Sequence, residues 1–196
     1  ILTFEELYHS VSRWVEALRD AGLVRGDRVA ACMPNLPETI IAMLAVTSIG
    51  AIWSSASPDF GVQGLLDRFG QIEPKILIAV DGYYYNGKVI DCRDKIKELQ
   101  PKIPSLKKTI LIPFTDDQAS LPGTTRSDDF IAGYKGGSID FDRVDFNHPL
   151  FIMFSSGTTG IPKCIVHGHG GTVLQHLKEH ALQCDNGPGS RIFYFT

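Results

Sequence analysis

The sequence predicts an α/β fold, with a mainly parallel β-sheet flanked by helices. Short apolar runs of strand length alternate along the chain with amphipathic segments of helix length. Strands that alternate with helices in this way pair in parallel through right-handed crossover connections. The composition fits such a domain, because 43% of the 196 residues are hydrophobic and 21% are charged. The predicted strands are Val29–Met33, Ala51–Ser55, Lys75–Val80, Thr109–Pro113, Phe151–Ser155 and Cys164–His167.

The first helix is predicted from a capping box at Thr3 and Glu6, in which each side chain bonds the other residue's backbone amide. Apolar residues then recur every three or four positions as far as Gly22, whose left-handed conformation ends the helix. Between Thr115 and His148 the chain is rich in Asp, Ser, Gly and Thr, which indicates a surface connection with one short helix. The remaining predicted helices are Pro37–Ile49, Gly64–Ile72, Asp94–Gln100 and Ser127–Tyr134.

Charge and hydropathy exclude two classes of partner. The chain has 19 basic and 22 acidic residues and a net charge of −3, without a basic block, so nucleic acid is not expected as a partner. No apolar run reaches the roughly 18 residues of a membrane span, which predicts a soluble protein. The four cysteines form no CxxC pair, so they are expected to be free thiols in a reducing compartment, the cytosol.

The two ends of the sequence indicate a longer protein. The chain begins at Ile1 rather than at Met, and no secretion signal follows. It stops within the apolar and aromatic run Arg191–Thr196, which predicts a strand in mid-course. Both ends are therefore expected to be internal points of a larger polypeptide.

One segment has the residue types of an anion-binding loop. The apolar run Leu150–Phe154 leads into a polar loop in which glycines allow backbone N–H groups to face an anion, while hydroxyls and a lysine neutralise it. These features predict a phosphate-binding loop, and the alternative interpretation is a plain Ser/Thr/Gly-rich turn between two strands. The loop is not a Walker A motif, because Pro162 separates Gly160 from Lys163 and a strand rather than a helix follows. The candidate phosphate-binding residues are Ser155, Ser156, Gly157, Thr158, Thr159, Gly160 and Lys163.

The string Ser156–Lys163, S-G-T-T-G-I-P-K, resembles the nucleotide-phosphate loop of the adenylate-forming superfamily, which includes acyl-CoA synthetases, luciferases and peptide-synthetase adenylation domains. The segments Trp53–Gly61, Phe154–Gly157 and Leu174–His180 look like the branch that activates acetoacetate. The resemblance extends through most of the chain. It implies that residues 1–196 are the N-terminal part of an AMP-binding adenylation domain, whose remainder and C-terminal lid domain lie beyond Thr196.

The resemblance also implies a reaction. Acetoacetate attacks the α-phosphorus of ATP in the presence of Mg²⁺ to give an acyl-adenylate and pyrophosphate, and the thiol of CoA then displaces AMP. No catalytic residue is expected within the 196 residues, so this part of the protein alone is expected to be inactive. Two alternatives remain open: a synthetase for acetate or propionate, and a catalytically silent nucleotide-binding fragment.

Four further candidate residues each have a functional and an ordinary structural explanation. Gly87 and Lys88 match in part an R-x-G-R motif that contacts the CoA phosphates in short-chain members of the superfamily, but Asn86 and Gly87 also encode a hairpin turn. Trp53 is a candidate border of the acyl pocket, or a buried core residue. His167 is a candidate for orienting a phosphate or the acyl-adenylate, or a strand-end histidine bonded to backbone.

The sequence His176–His180 matches the H-x-x-E-H signature of zinc peptidases. Such a site needs a further protein ligand, and only one carboxylate, Asp185, follows in the sequence. We therefore interpret the two histidines as part of a solvated helix face and predict no metal ligand.

Overall fold

A computed structural model of the chain describes residues 1–155 and 160–193. Seven of its strands form one sheet and two form a separate hairpin. The strands are β1 Arg28–Cys32, β2 Ile52–Ala56, β3 Ile76–Val80, β4 Gly82–Tyr85, β5 Lys88–Asp91, β6 Lys108–Ile112, β7 Thr125–Arg126, β8 Pro149–Phe154 and β9 Cys164–Gly168. The order in the large sheet is β7-β6-β3-β1-β2-β8-β9. All of its neighbouring strands pair in parallel except β8 and β9, which are antiparallel, so the predicted α/β architecture is confirmed.

Five helices lie close to their predicted positions, and a sixth includes His176, which the sequence analysis assigned to a solvated helix face. They are α1 Phe4–Asp20, α2 Pro37–Ser48, α3 Val62–Ile72, α4 Arg93–Leu99, α5 Ser127–Ile131 and α6 His169–Lys178, with a 3₁₀ turn at Gln100–Lys102 and a π-helical turn at Glu179–Gln183. The capping box of α1 is confirmed, because the Thr3 N–H donates to Glu6 Oε2 at 2.7 Å and the Glu6 N–H donates to Thr3 Oγ1 at 3.2 Å. None of the helices among the described residues combines the length and apolar character that a membrane crossing requires.

The core has two layers, one on each face of the large sheet. Helices α1, α2 and α5 cover the first face, and α3 and α4 cover the second. Successive residues of a strand point to opposite faces, so Val29 joins the first layer and Ala30 the second. Trp14 and Phe69 are almost completely buried in the first and second layers respectively. Full burial of one such side chain contributes about 1.5–3 kcal/mol.

The predicted surface connection between the sixth and eighth strands is held against α1 and the turn that follows it. The Arg13 guanidinium donates to the carbonyl oxygens of Ile131 and Tyr134, both at 2.9 Å. Arg19 and Arg25 form ion pairs with Asp142 at 3.3 and 3.2 Å. These contacts connect a segment without a core of its own to the first layer of the domain.

The strand predicted at Arg191–Thr196 is wrong for its described part. Residues 191–193 adopt no regular structure and Phe193 is 89% exposed. A strand needs a partner that supplies ladder hydrogen bonds, and no described strand pairs with these residues. Residues 194–196 of that prediction lie outside the described residues.

Candidate functional site

The predicted strand–loop–strand unit is confirmed at both of its described ends. β8 lies parallel to β2, and β9 returns antiparallel with Cys164 opposite Phe154. The Ser155 N–H donates to the Lys163 carbonyl oxygen at 3.1 Å and so closes the base of the loop. No helix begins between Gly160 and Lys163. The chain therefore leaves and re-enters the sheet at the carboxyl end of a parallel strand, where open α/β sheets bind ligands.

Three of the seven predicted phosphate-binding residues are described. Gly160 has a φ of 98°, a conformation that favours glycine. Pro162 is buried, whereas Lys163 is exposed. The other four predicted residues, 156–159, lie outside the described residues.

A cavity of about 460 Å³ opens at the carboxyl ends of β1 and β2. Asn35 of the turn after β1, Thr39 of α2 and Ser57 of the loop after β2 line it, together with Tyr83 and Tyr85 of the hairpin. This edge of an open α/β sheet is the usual place for a ligand. Amide, hydroxyl and phenol groups give the cavity both hydrogen-bonding and stacking surfaces for a small molecule. The sequence analysis did not identify this cavity as a whole.

A hydrogen-bonded carboxylate joins two walls of the cavity. The Tyr83 hydroxyl donates to Asp59 Oδ1 at 2.5 Å, and the Ser57 hydroxyl donates to Asp59 Oδ2 at 2.8 Å. These hydrogen bonds hold the pKa of Asp59 below its ordinary value. The bond to Asp59 also raises the pKa of Tyr83 to about 12. At neutral pH the pair is an anion and a neutral phenol, so it shapes the cavity rather than exchanging protons.

The hairpin β4–β5 presents Gly87 and Lys88 beside this cavity. Asn86 and Gly87 have φ values of 46° and 72°, so the predicted tight hairpin turn is confirmed. Lys88 lies directly opposite Tyr85, which lines the cavity. Opposed residues of a hairpin project from the same face, so the Lys88 side chain is on the face of Tyr85.

Asp81 anchors the base of the hairpin. The residue is 1% exposed, and its carboxylate accepts hydrogen bonds from the backbone N–H groups of Phe114, Thr115 and Asp116 at 2.7, 3.1 and 2.8 Å. The Thr115 hydroxyl adds a further bond at 2.9 Å. The Cys92 N–H donates to the Asp81 carbonyl oxygen at 2.7 Å. Asp81 thereby joins the ends of β3 and β6 to both ends of the hairpin, and its buried charge is well satisfied.

Two predicted site residues are not brought to the cavity or to the loop. Trp53 is 3% exposed and lies near the beginning of β2, where it packs in the first core layer, so the core alternative describes its position. The cavity is lined instead by the loop that follows the strand, including Ser57. His167 is exposed and opposite Phe151, because β9 runs away from the loop. Three strand residues place it about 10 Å from Cys164 along β9.

The histidines of the H-x-x-E-H sequence lie on an exposed surface. The ring centroids of His176 and His180 are 6.3 Å apart. Within residues 1–155 and 160–193, no three His, Cys, Asp or Glu side chains converge as metal ligands. The four cysteines are free thiols as expected, with Cys32 and Cys92 buried and Cys164 and Cys184 exposed.

Comparison with known proteins gives the family. The family model described as AMP-binding enzyme matches residues 1–195, so the chain belongs to the AMP-binding enzyme family. This result confirms the resemblance of the S-G-T-T-G-I-P-K loop to adenylate-forming enzymes.

Within this family the chain is similar to acetoacetyl-CoA synthetases. It is 55% identical to the acetoacetyl-coenzyme A synthetase of Rhizobium meliloti (strain 1021) over 199 residues, which cover 100% of this chain and 30% of that protein. Against the acetoacetyl-CoA synthetase of Gallus gallus the identity is 46% over 203 residues, with the same coverage. The solved structure of acetoacetyl-CoA synthetase from Streptomyces lividans superposes with a TM-score of 0.93 at 41% identity, covering 100% of this chain and 30% of that one. The chain thus spans about 30% of the length of these relatives.

Proposed function

We propose that the complete protein is an AMP-forming acid–thiol ligase that makes acetoacetyl-CoA from acetoacetate, ATP and CoA. The observation that carries the proposal is similarity along the entire chain to proteins named acetoacetyl-CoA synthetase, at up to 55% identity. Residues 1–196 then form the N-terminal part of its adenylation domain, and the groups that perform the chemistry lie outside this part. The free thiols support a reducing compartment such as the cytosol.

The loop between β8 and β9 would bind the β- and γ-phosphates of ATP. Lys163 is exposed at the end of this loop, and the Ser155 N–H bond fixes the backbone of Lys163 at the carboxyl end of β8. An ammonium group and hydroxyls at this position stabilise pyrophosphate as negative charge develops on it during departure. The proposed phosphate ligands are Ser155, Ser156, Gly157, Thr158, Thr159, Gly160 and Lys163.

Mg²⁺ would enter this site as part of the substrate MgATP. The described residues offer no cluster of three side-chain ligands, whereas the phosphate oxygens of ATP are ligands that Mg²⁺ prefers. Hydroxyl groups in the loop suit a magnesium ion that is already bound to phosphate. When bound, the ion neutralises phosphate charge.

The cavity beside the hairpin would receive CoA. Gly87 adds no side chain at the turn. Lys88 places a cation opposite Tyr85, and Tyr85 lines the cavity. An ammonium group pairs with phosphate, and the tyrosine rings offer stacking surfaces for a base. In this proposal Gly87 and Lys88 contact the CoA phosphates, whereas Trp53 and His167 remain predictions that the described geometry does not support.

A comparison of substrates tests the proposal. The complete protein should form acyl-CoA with a higher kcat/KM for acetoacetate than for acetate or propionate. A preference for acetate or propionate would instead indicate a synthetase for one of those acids, because the phosphate loop does not distinguish acyl groups. Absence of activity with all three acids, together with binding of ATP, would favour the silent nucleotide-binding protein.

A further inference from the structure

We propose that Gln71 is a positioning residue for the phosphate loop, acting through the residues on both sides of Lys163. The inference rests on the proposed function, because it assigns Gln71 a role in how that loop holds ATP. Gln71 lies in the last turn of α3, outside every motif that the sequence analysis identified. It contacts neither the cavity nor any residue so far assigned to CoA.

One side chain holds both neighbours of Lys163. The Gln71 amide nitrogen, Nε2, donates to the Pro162 carbonyl oxygen at 2.8 Å. The Cys164 thiol lies 3.7 Å from Gln71 Oε1 and donates to it. The Lys163 carbonyl oxygen is itself occupied by the Ser155 N–H at 3.1 Å. The backbone around Lys163 is therefore held from β8 on one side and from α3 on the other.

The helix that carries Gln71 is a rigid support. Leu65 and Phe69 of α3 are completely buried in the second core layer. The Arg28 guanidinium donates to the carbonyl oxygens of Ile72 and Glu73 at 2.7 and 3.0 Å and so fixes the end of the helix. Nε2 of Gln71 also donates to the Asp67 carbonyl oxygen at 2.5 Å, which restricts its rotamer. A support of this kind transmits a fixed position to Pro162 and thus to Lys163.

This arrangement fixes the backbone that carries the exposed side chain of Lys163. A lysine has a long, flexible stem, so the position of its ammonium group depends on how well its backbone is fixed. Each bond that restricts Pro162 or Cys164 reduces the freedom that must be lost when phosphate binds. Release of the Gln71 contacts should therefore weaken ATP binding without affecting the other substrates.

The test compares Gln71→Met with Gln63→Met in the complete protein. Methionine has a similar length but cannot donate to the Pro162 carbonyl. Gln63 lies on the same helix, but the bond that its Nε2 makes among the described residues stays within that helix, to Asp67 Oδ1 at 2.7 Å. We expect Gln71→Met to raise KM for MgATP about three- to tenfold, the range for one lost neutral hydrogen bond. KM for acetoacetate and the melting temperature should match those of Gln63→Met, and a rise equal in both variants would overturn the inference.

A second readout does not depend on turnover. The rate at which iodoacetamide alkylates Cys164, followed by peptide mass spectrometry with the exposed Cys184 as internal reference, should rise in Gln71→Met but not in Gln63→Met. Equal Cys164 rates in the two variants without nucleotide would overturn the inference. MgATP bound at the loop should slow the alkylation of Cys164 in the wild-type protein. If that protein shows no such slowing and makes no acetoacetyl-CoA, the proposed function fails. The nucleotide-free rates still decide in that case whether Gln71 holds the loop.

Discussion

The hydroxyl of Tyr83 donates a 2.5 Å hydrogen bond to Asp59 and thereby joins the hairpin β4–β5 to the loop after β2. Both residues line the same cavity, Tyr83 from the hairpin and Asp59 from the loop. Lys95 supports the same loop by donating to the Pro58 carbonyl oxygen. The hydroxyl bond of Tyr83 thus connects two walls of the proposed CoA site that are separate in the sequence.

Removing the Tyr83 hydroxyl should weaken CoA use and leave the first half-reaction unchanged. Phenylalanine at position 83 keeps the ring but loses the bond to Asp59, so the hairpin is no longer held beside the cavity. We expect Tyr83→Phe to raise KM for CoA about threefold to tenfold, the range for one hydrogen bond. Acetoacetate-dependent exchange of pyrophosphate into ATP, which needs no CoA, should keep its wild-type rate. Tyr84→Phe is the matched control, and an equal effect in both variants would contradict the assignment.

The same bond predicts how stability depends on pH at both extremes. The pKa of Asp59 is lowered in the folded protein. Its contribution to stability is therefore present above the unfolded pKa of about 4 and is lost as pH falls through the folded pKa. The pKa of Tyr83 is raised to about 12, chiefly by Asp59. Its contribution is complete below the unfolded value of about 10 and is lost as pH rises from there through the folded value.

An ultraviolet titration of tyrosinate checks the alkaline limb. The difference between wild type and Tyr83→Phe should show one phenol ionising near pH 12, well above an ordinary tyrosine. Ionisation of that phenol near pH 10 would show that the Asp59 bond does not form in solution.

Asp81→Asn should destabilise the protein by releasing the base of the hairpin. Asparagine offers one acceptor oxygen to the three backbone N–H groups and the hydroxyl that converge on the Asp81 carboxylate, so buried donors lose their partners. We expect a loss of about 2–4 kcal/mol, as for removal of a buried, hydrogen-bonded charge. Thermal melting should show a clear decrease for this variant and none for Asp117→Asn, a change at an exposed neighbour. Equal melting temperatures would contradict the role of Asp81.

Much of the fold could be predicted because its signals are local. The capping box at Thr3, the apolar strands and the turn at Asn86 and Gly87 each depend on residues close in sequence. The strand–loop–strand unit was also predictable, since Pro162 and a β-branched run disfavour a helix there.

The rest of the site depends on contacts between distant segments. Tyr83 and Asp59 are 24 residues apart, and the bond from Gln71 to Pro162 spans 91 residues. No spacing rule in the sequence indicates such a pair. The position of His167 depends on the direction of β9, which the sequence analysis did not specify.

Lys163→Ala should weaken the use of ATP specifically. The change removes a cation that would make a charge-assisted contact with phosphate, worth about 1.5–3 kcal/mol or about 10- to 150-fold in kcat/KM for MgATP. Lys107→Ala removes an exposed lysine before β6 and is the matched control. Unchanged kinetics in the Lys163 variant would remove this residue from the phosphate site.

Residues 1–196 alone should be inactive and prone to self-association. Apolar side chains of α6 are more than half exposed, among them Val173, Leu174 and Leu177. A contiguous exposed apolar surface favours association. Sedimentation of the isolated segment should show oligomers or aggregates, whereas a monomer with a cooperative melt, or exchange of pyrophosphate into ATP, would contradict this expectation.

The most direct test of the account is the product stoichiometry of the complete protein with acetoacetate, MgATP and CoA. The account predicts equal amounts of acetoacetyl-CoA, AMP and pyrophosphate, with no nucleotide consumed when acetoacetate is left out. Formation of ADP and inorganic phosphate, or AMP production that responds to acetate but not to acetoacetate, would contradict it.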